Sequence, residues 1–313
     1  MKPRKDLLDL ASLDAEEIEF ILDNAGRFKE LFTRSVKKVP RLQGKTVLLL
    51  FYEPSTRTSM SFEIAAKRMD ADVIALDVES SSTKKGESIL DTVATMQAMK
   101  VDYIIVRHKQ SGVPGLIAKN TRASVINAGD GFHAHPTQGL LDSFTLAEVW
   151  RNEFAGKRIV IAGDILHSRV ARSTSTALRK LGAEVAVLGP GPLIPDDLPP
   201  QLLKLKSWEE LLDWKPDAVN LLRIQHERSG GEQFFPSLGE YHKVYGLTEE
   251  RLEVLKQRKT WVLHPGPINR GVELANAVTS YDRCLINRQV ENGIAARMAV
   301  LYWLRPSEAE GIE

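Results

Sequence analysis

TVLLLFYEPSTRTSMSFEIAAKRM, Thr46 to Met69, passes once from strand to helix. Thr46 to Phe51 is a short apolar run of the kind that forms a strand buried on both faces, and SMSFEIAAKRM, Ser59 to Met69, can form a helix. Outward from this stretch the alternation repeats. DVIAL (Asp72 to Leu76), DYIIV (Asp102 to Val106) and SVINA (Ser124 to Ala128) read as further buried strands, with ESILDTVATMQAM and VPGLIAKNT as helices between them. Alternation of this kind predicts a parallel sheet with right-handed crossovers. A helix is also expected from near Asp14 to about Phe32.

After LLDSFTLAEVWR, a helix long enough to link two units, the pattern starts again. RIVIAG (Arg158 to Gly163), EVAVLG (Glu184 to Gly189), AVNLLR (Ala218 to Arg223) and TWVLH (Thr260 to His264) predict the strands of a second sheet. The proline-rich GPGPLIPDDLPP and the polar HERSGGEQFFPSLGE interrupt it, the latter as a candidate mobile loop. RQVENGIAARMAVLYWL near the C-terminus predicts an apolar-faced helix that packs on a large surface. The expected fold is therefore α/β, with two doubly wound parallel-sheet domains. A chain of 313 residues agrees with two domains of roughly 150 residues each.

Composition narrows the function. Lys and Arg number 42 against 41 Asp and Glu, so the net charge of +1 gives no reason to expect nucleic acid or an anionic membrane as partner. The first twenty residues carry acids throughout and lack the apolar run of a signal peptide or membrane span, so a soluble cytoplasmic protein is expected. A single cysteine, Cys284, excludes an intrachain disulfide and reads as a packing residue. No CxxC or HExxH pairing suggests zinc, and no GxGxxG follows a predicted strand, which argues against a dinucleotide-dependent dehydrogenase.

The chemistry concentrates at the turn of the opening stretch. Ser55, Thr56 and Thr58 place hydroxyls and backbone N–H groups at a helix N-terminus, where phosphate binds readily. Arg57 opposes the helix dipole there, at a cost of a few tenths to about 1 kcal/mol, which an anion at the same place would offset. A Ser/Thr cap beside a solvated arginine is the alternative. Arg107, at the end of DYIIVRH, and His135 and Gln138, in HPTQ, occupy two further strand ends. In an open α/β sheet such positions converge on one crevice. Arg169 in GDILHSRVARS and Arg223 with Gln225 in LLRIQHERSG follow strands of the second sheet. Two arginines suit a dicarboxylate.

STRTSMSFE resembles the carbamoyl phosphate signature of the aspartate and ornithine carbamoyltransferases, and the likeness continues in order through DYIIVRH, HPTQ and HPGP. The resemblance implies that a carbamoyl group passes from carbamoyl phosphate to L-aspartate, in pyrimidine (UMP) biosynthesis, with no metal or organic cofactor. It implies a carbamoyl phosphate domain of residues 1–136, with 289–313 packing back on it, and an aspartate domain of residues 137–288. Ser55, Thr56, Arg57, Thr58, Arg107, His135 and Gln138 would hold carbamoyl phosphate, with Arg57, Thr58, Arg107 and His135 catalytic. Arg169 would take the α-carboxylate of aspartate, and Arg223 with Gln225 the β-carboxylate. Gly266 and Pro267 would orient the amine, commonly across a cis bond. Ser81 and Lys85, which taken alone with Lys84 read as a solvated loop, would come from the neighbouring subunit of a homotrimer, with Lys85 also binding aspartate. Family members also assemble with regulatory chains or dihydroorotase.

Two departures from some relatives stand out: Val170 replaces a threonine and Gly266 a leucine. Ornithine carbamoyltransferases, whose HCLP turn and SMG loop are absent here, and a non-catalytic scaffold of the same fold are the alternatives. Arg223-x-Gln225 and Lys84-Lys85 favour an anionic second substrate over ornithine.

Overall fold

The computed structural model describes residues 4–77, 88–224 and 237–304. The chain divides into two compact units, Met1–Phe144 with Glu291–Glu313, and Thr145–Val290.

In the first unit four parallel strands, β1 (Thr46–Phe51), β2 (Asp72–Asp77), β3 (Tyr103–His108) and β4 (Ser124–Asp130), lie in the order β2-β1-β3-β4. Every residue of β3 and β4 is buried, as expected of strands covered on both faces. Leu48, Leu50, Ile104, Val106 and Val125 pack on one side against Val93, Met96 and Ile117. These last belong to helices α3 (Ile89–Ala98) and α4 (Val113–Lys119). The N-terminal helix α1 (Ala15–Glu30) begins where expected because Asp14 and Glu17 form a reciprocal capping box. Arg4 fixes that box by donating from Nε to Glu17 Oε1 at 2.6 Å. The segment before it covers the edge of β4: Leu7 N–H donates to Val125 O and Asn127 N–H to Leu7 O, each at 2.9 Å. Helix α2 (Thr56–Arg68) follows β1, and α5 (Pro136–Trp150) follows β4.

The second unit holds β5 (Arg158–Ala162), β6 (Glu184–Leu188), β7 (Leu202–Leu205), β8 (Ala218–Leu221) and β9 (Trp261–Leu263), all parallel, in the order β7-β6-β5-β8-β9. Strand β7 was not expected. It is a four-residue edge strand with Leu203 and Lys204 both exposed, so its sequence shows neither a buried run nor strict alternation. Its helices are α6 (Arg169–Lys180), α7 (Trp208–Trp214), α8 (Leu238–Tyr245) and α9 (Glu249–Arg258). The last four residues of the expected loop HERSGGEQFFPSLGE open α8, capped by Ser237 accepting from Glu240 N–H; residues 226–236 lie outside the described residues. Helix α10 (Ile286–Trp303) and α5 each run across the division between the units. No helix among the described residues is long and apolar enough to cross a membrane.

Candidate active site

Each sheet has a topological switch point, where successive strands leave its starting strand on opposite sides and a crevice opens beyond the strand C-termini. In the first unit it falls between β1 and β3. Phe51 pairs with Arg107, and Tyr52 N–H donates to Arg107 O at 2.8 Å, so the turn into α2 runs alongside the end of β3. Ser55 occupies the N-cap of α2 but makes no side-chain cap bond. By contrast Asp14, Ser88, Ser168, Ser207, Ser237 and Thr248 each accept a first-turn N–H of the helix they precede. The N-terminal N–H groups of α2 thus keep their capacity for an anion. Thr58 is buried, whereas Thr56 and Arg57 are exposed.

Arg107 is buried at the end of β3 and donates from Nη2 to Glu53 Oε1 at 3.0 Å and from Nη1 to Ala128 O at 3.3 Å. The guanidinium is therefore aimed by groups from the ends of β1 and β4. Beside it, burial holds the His108 imidazole below its ordinary pKa, and Gln110 N–H donates to its Nδ1 at 2.9 Å. The loop to His135 hangs on Asp130, which is 1% exposed and accepts from Asn127 Nδ2 at 2.8 Å, Gly112 N–H at 2.7 Å and Ala134 N–H at 3.1 Å. His135 is buried, and its carbonyl accepts from Gln138 N–H at 3.0 Å as α5 begins. Gln138 Nε2 donates to Asp142 Oδ1 at 2.9 Å, one helical turn on. Register and hydrogen bonds thus join Ser55 to Thr58, Arg107, His135 and Gln138 to the neighbouring ends of β1, β3 and β4. A cleft of about 410 Å³ opens next to them, lined by Phe51, Tyr52, Pro54, Ser55, Thr56 and Ala75.

The switch point of the second unit lies between β5 and β8. Leu222 N–H donates to Ala162 O at 2.7 Å, which draws the two strand exits together. Gly163 has φ +135°, and a Cβ there would meet Leu222 Cβ at 3.0 Å, so glycine is needed for this approach. Arg169 opens α6 and is buried, while Ser168 caps that helix through Ala171 N–H at 3.0 Å. Arg223 follows β8 and is half-buried. Glu273, 1% exposed, accepts Ile224 N–H at 2.9 Å and Asn269 N–H at 2.8 Å. It thereby links the exit of β8 to the HPGPIN turn. In that turn Gly266-Pro267 is cis, as expected, and Gly266 N–H donates to His264 Nδ1 at 2.9 Å. Gly266 has φ +65°, which a leucine adopts only at a cost of about 1–2 kcal/mol, so glycine suits this turn. A larger cleft in this unit, about 520 Å³ and lined by Thr176, Arg179, Gln201 and Trp214, contains none of the predicted residues. Ser81, Lys84, Lys85 and Gln225 lie outside the described residues.

Sequence reading passed over Glu53, Asp130, Asp142, Glu273 and Arg297. Only Asp142 had a local signal, its i,i+4 spacing from Gln138 on a predicted helix.

Two family models match. Residues 5–148 match the aspartate/ornithine carbamoyltransferase carbamoyl-P binding domain, and residues 216–304 match the Asp/Orn binding domain. The chain belongs to the aspartate/ornithine carbamoyltransferase family. It is 59% identical over 304 residues to the aspartate carbamoyltransferase catalytic subunit of Akkermansia muciniphila, covering 97% of this chain and 98% of that one. The catalytic subunit of M. jannaschii aspartate transcarbamoylase superposes with a TM-score of 0.82 at 34% identity, covering 95% of this chain and 97% of that one. Aspartate transcarbamoylase from Trypanosoma cruzi in complex with carbamoyl phosphate and aspartate gives a TM-score of 0.87 at 25% identity, with 97% of each chain covered.

Proposed function

We infer that this chain transfers the carbamoyl group of carbamoyl phosphate to the α-amine of L-aspartate, giving N-carbamoyl-L-aspartate and phosphate. The observation that carries the reading is the pairing of chemistries at the two switch points. One has an open helix N-terminus beside a fixed, buried arginine. The other has two arginines, Arg169 and Arg223, suited to two carboxylates. Ornithine, with a cationic side chain, would meet like charge there.

The phosphate sits on the first turn of α2, with the Ser55, Thr56 and Thr58 hydroxyls and Arg57 around it. The neutral amine of aspartate attacks the carbonyl carbon, and the new C–N bond pushes the carbonyl electrons onto oxygen. Thr58, Arg107 and His135 stabilise that oxyanion. Gln138 Oε1 accepts from the carbamoyl NH2. As the oxyanion collapses the C–O bond to phosphate breaks, Arg57 stabilises the departing charge, and the proton of the amine passes to the departing phosphate. Arg169 holds the α-carboxylate, Arg223 with Gln225 the β-carboxylate, and the Gly266-Pro267 turn directs carbonyls at the amine.

Ser81 and Lys85 complete the site from the neighbouring chain of a homotrimer. Support comes from β2, an edge strand with Ile74 half exposed, and from exposed Met60 on α2. A threefold contact is heterologous, so each chain lends and receives a loop. The purified protein, given carbamoyl phosphate, should form carbamoyl aspartate from L-aspartate; citrulline from L-ornithine as the main product would overturn the assignment. Inactive Arg57→Ala and Lys85→Ala chains, mixed equally and reassembled, should recover about a quarter of wild-type activity by random assortment. Recovery absent from confirmed mixed trimers would return Lys85 to its own chain.

A further inference from the structure

Three helices of the first unit meet around a buried arginine that the scheme above does not use. Arg297 on α10 is 3% exposed; its Nη1 donates to Ser61 Oγ on α2 at 3.0 Å and to Gly293 O at 2.9 Å. Its guanidinium lies 4.9 Å from the centre of the Phe62 ring. The fully buried Asp142 on α5 attracts that guanidinium and accepts the Gln138 Nε2 bond. Burial pushes Arg297 down to about 10, with Asp142 opposing the shift. Apolar residues of similar volume can hold helices together as well as or better than buried charged groups do, so packing alone gives no reason for them here. Gly293 adds an independent observation. A Cβ at that position would lie 2.6 Å from Arg297 Nη1, so a glycine inside α10, unfavourable for the helix itself, makes the room in which the guanidinium lies.

We infer that Asp142 and Arg297 are positioning residues that make the site select carbamoyl over acyl phosphates, by fixing which end of the Gln138 amide faces the substrate. An ionised carboxylate only accepts hydrogen bonds, so it takes the NH2 end of the amide and leaves Oε1 turned away. In the functional reading above, on which this inference rests, Oε1 is the acceptor for the carbamoyl NH2. Acetyl phosphate has nearly the same shape but carries a methyl group there and donates nothing. With an asparagine at 142 either end of the Gln138 amide can be satisfied, and half the orientations would set NH2 against NH2.

The test is kcat/KM for carbamoyl phosphate and for acetyl phosphate, each with saturating aspartate, in the unaltered protein and three variants. Asp142→Asn should lower the carbamoyl-to-acetyl preference about 2-fold, since about half of the Gln138 amides then present the acceptor. The double variant Asp142→Asn with Arg297→Met should do the same, and since it removes both charges it leaves none buried alone if the single variant folds poorly. Gly293→Ala, which displaces the guanidinium and removes no charge, should give a smaller fall. A purely structural role would reduce both substrates by one factor. An unchanged preference in cooperatively folded variants therefore overturns the inference. Failure of the unaltered protein to carbamoylate aspartate overturns the functional reading itself, a result distinct from an active enzyme with an unaltered ratio.

Discussion

Both units place an arginine in the first turn of the helix that follows their first strand, but the two helix ends are built in opposite ways. Arg57 is exposed and the N-cap Ser55 leaves the first turn of α2 uncapped. Arg169 is buried and Ser168 caps the first turn of α6 by accepting from Ala171 N–H. In α2 the backbone dipole and N–H groups remain open to an anion, whose charge would offset that of the arginine. In α6 the backbone is spent locally, so anion recognition falls to guanidinium groups. The first design suits a group whose charge grows during reaction, and the second a carboxylate whose charge is constant.

Arg57→Ala tests the open end most severely. We expect kcat to fall by a factor on the order of 10² to 10⁴ with carbamoyl phosphate binding still measurable. A raised KM alone, at full kcat, would make Arg57 a ground-state ligand and erase the contrast. On the other side, Arg223→Ala should raise KM for aspartate by about 10- to 100-fold, the loss of a charge-assisted bond, and alter kcat less. Should kcat fall as far as for Arg57→Ala, the second unit would also be acting in the transition state.

The strand exits differ too. Tyr52 fits beside Arg107 in the first unit, whereas Gly163 must be a glycine in the second. Gly163→Ala should reduce unfolding free energy by about 1–3 kcal/mol in denaturant titration. A smaller loss would mean that Leu222 can yield. The mildest effect is expected at His108. Its folded pKa lies below the ordinary value, so below about pH 6.5 the unfolded chain binds more protons, and stability falls as pH falls. His108→Asn should flatten that part of the Tm–pH curve. An equally steep curve would place the titrating group elsewhere.

Periodicity alone determined eight of the nine strands, because each carries a continuous apolar run, even the edge strand β2, of which no residue from Asp72 to Leu76 is buried; the four-residue β7, with Leu203 and Lys204 both exposed, has neither such a run nor strict alternation and escaped. The ligand-facing candidates were legible because Arg57, Arg107 and Arg223 stand at strand ends or helix starts, where topology places ligands in any open α/β sheet. Tertiary structure alone decided what aims them. Glu53 reaches Arg107 across 54 residues, Glu273 holds Ile224 across 49, and Arg297 reaches Ser61 across 236. Such partners follow no local period, since a buried charge needs a hydrogen-bonded neighbour in space and the chain can supply it from any distance in sequence.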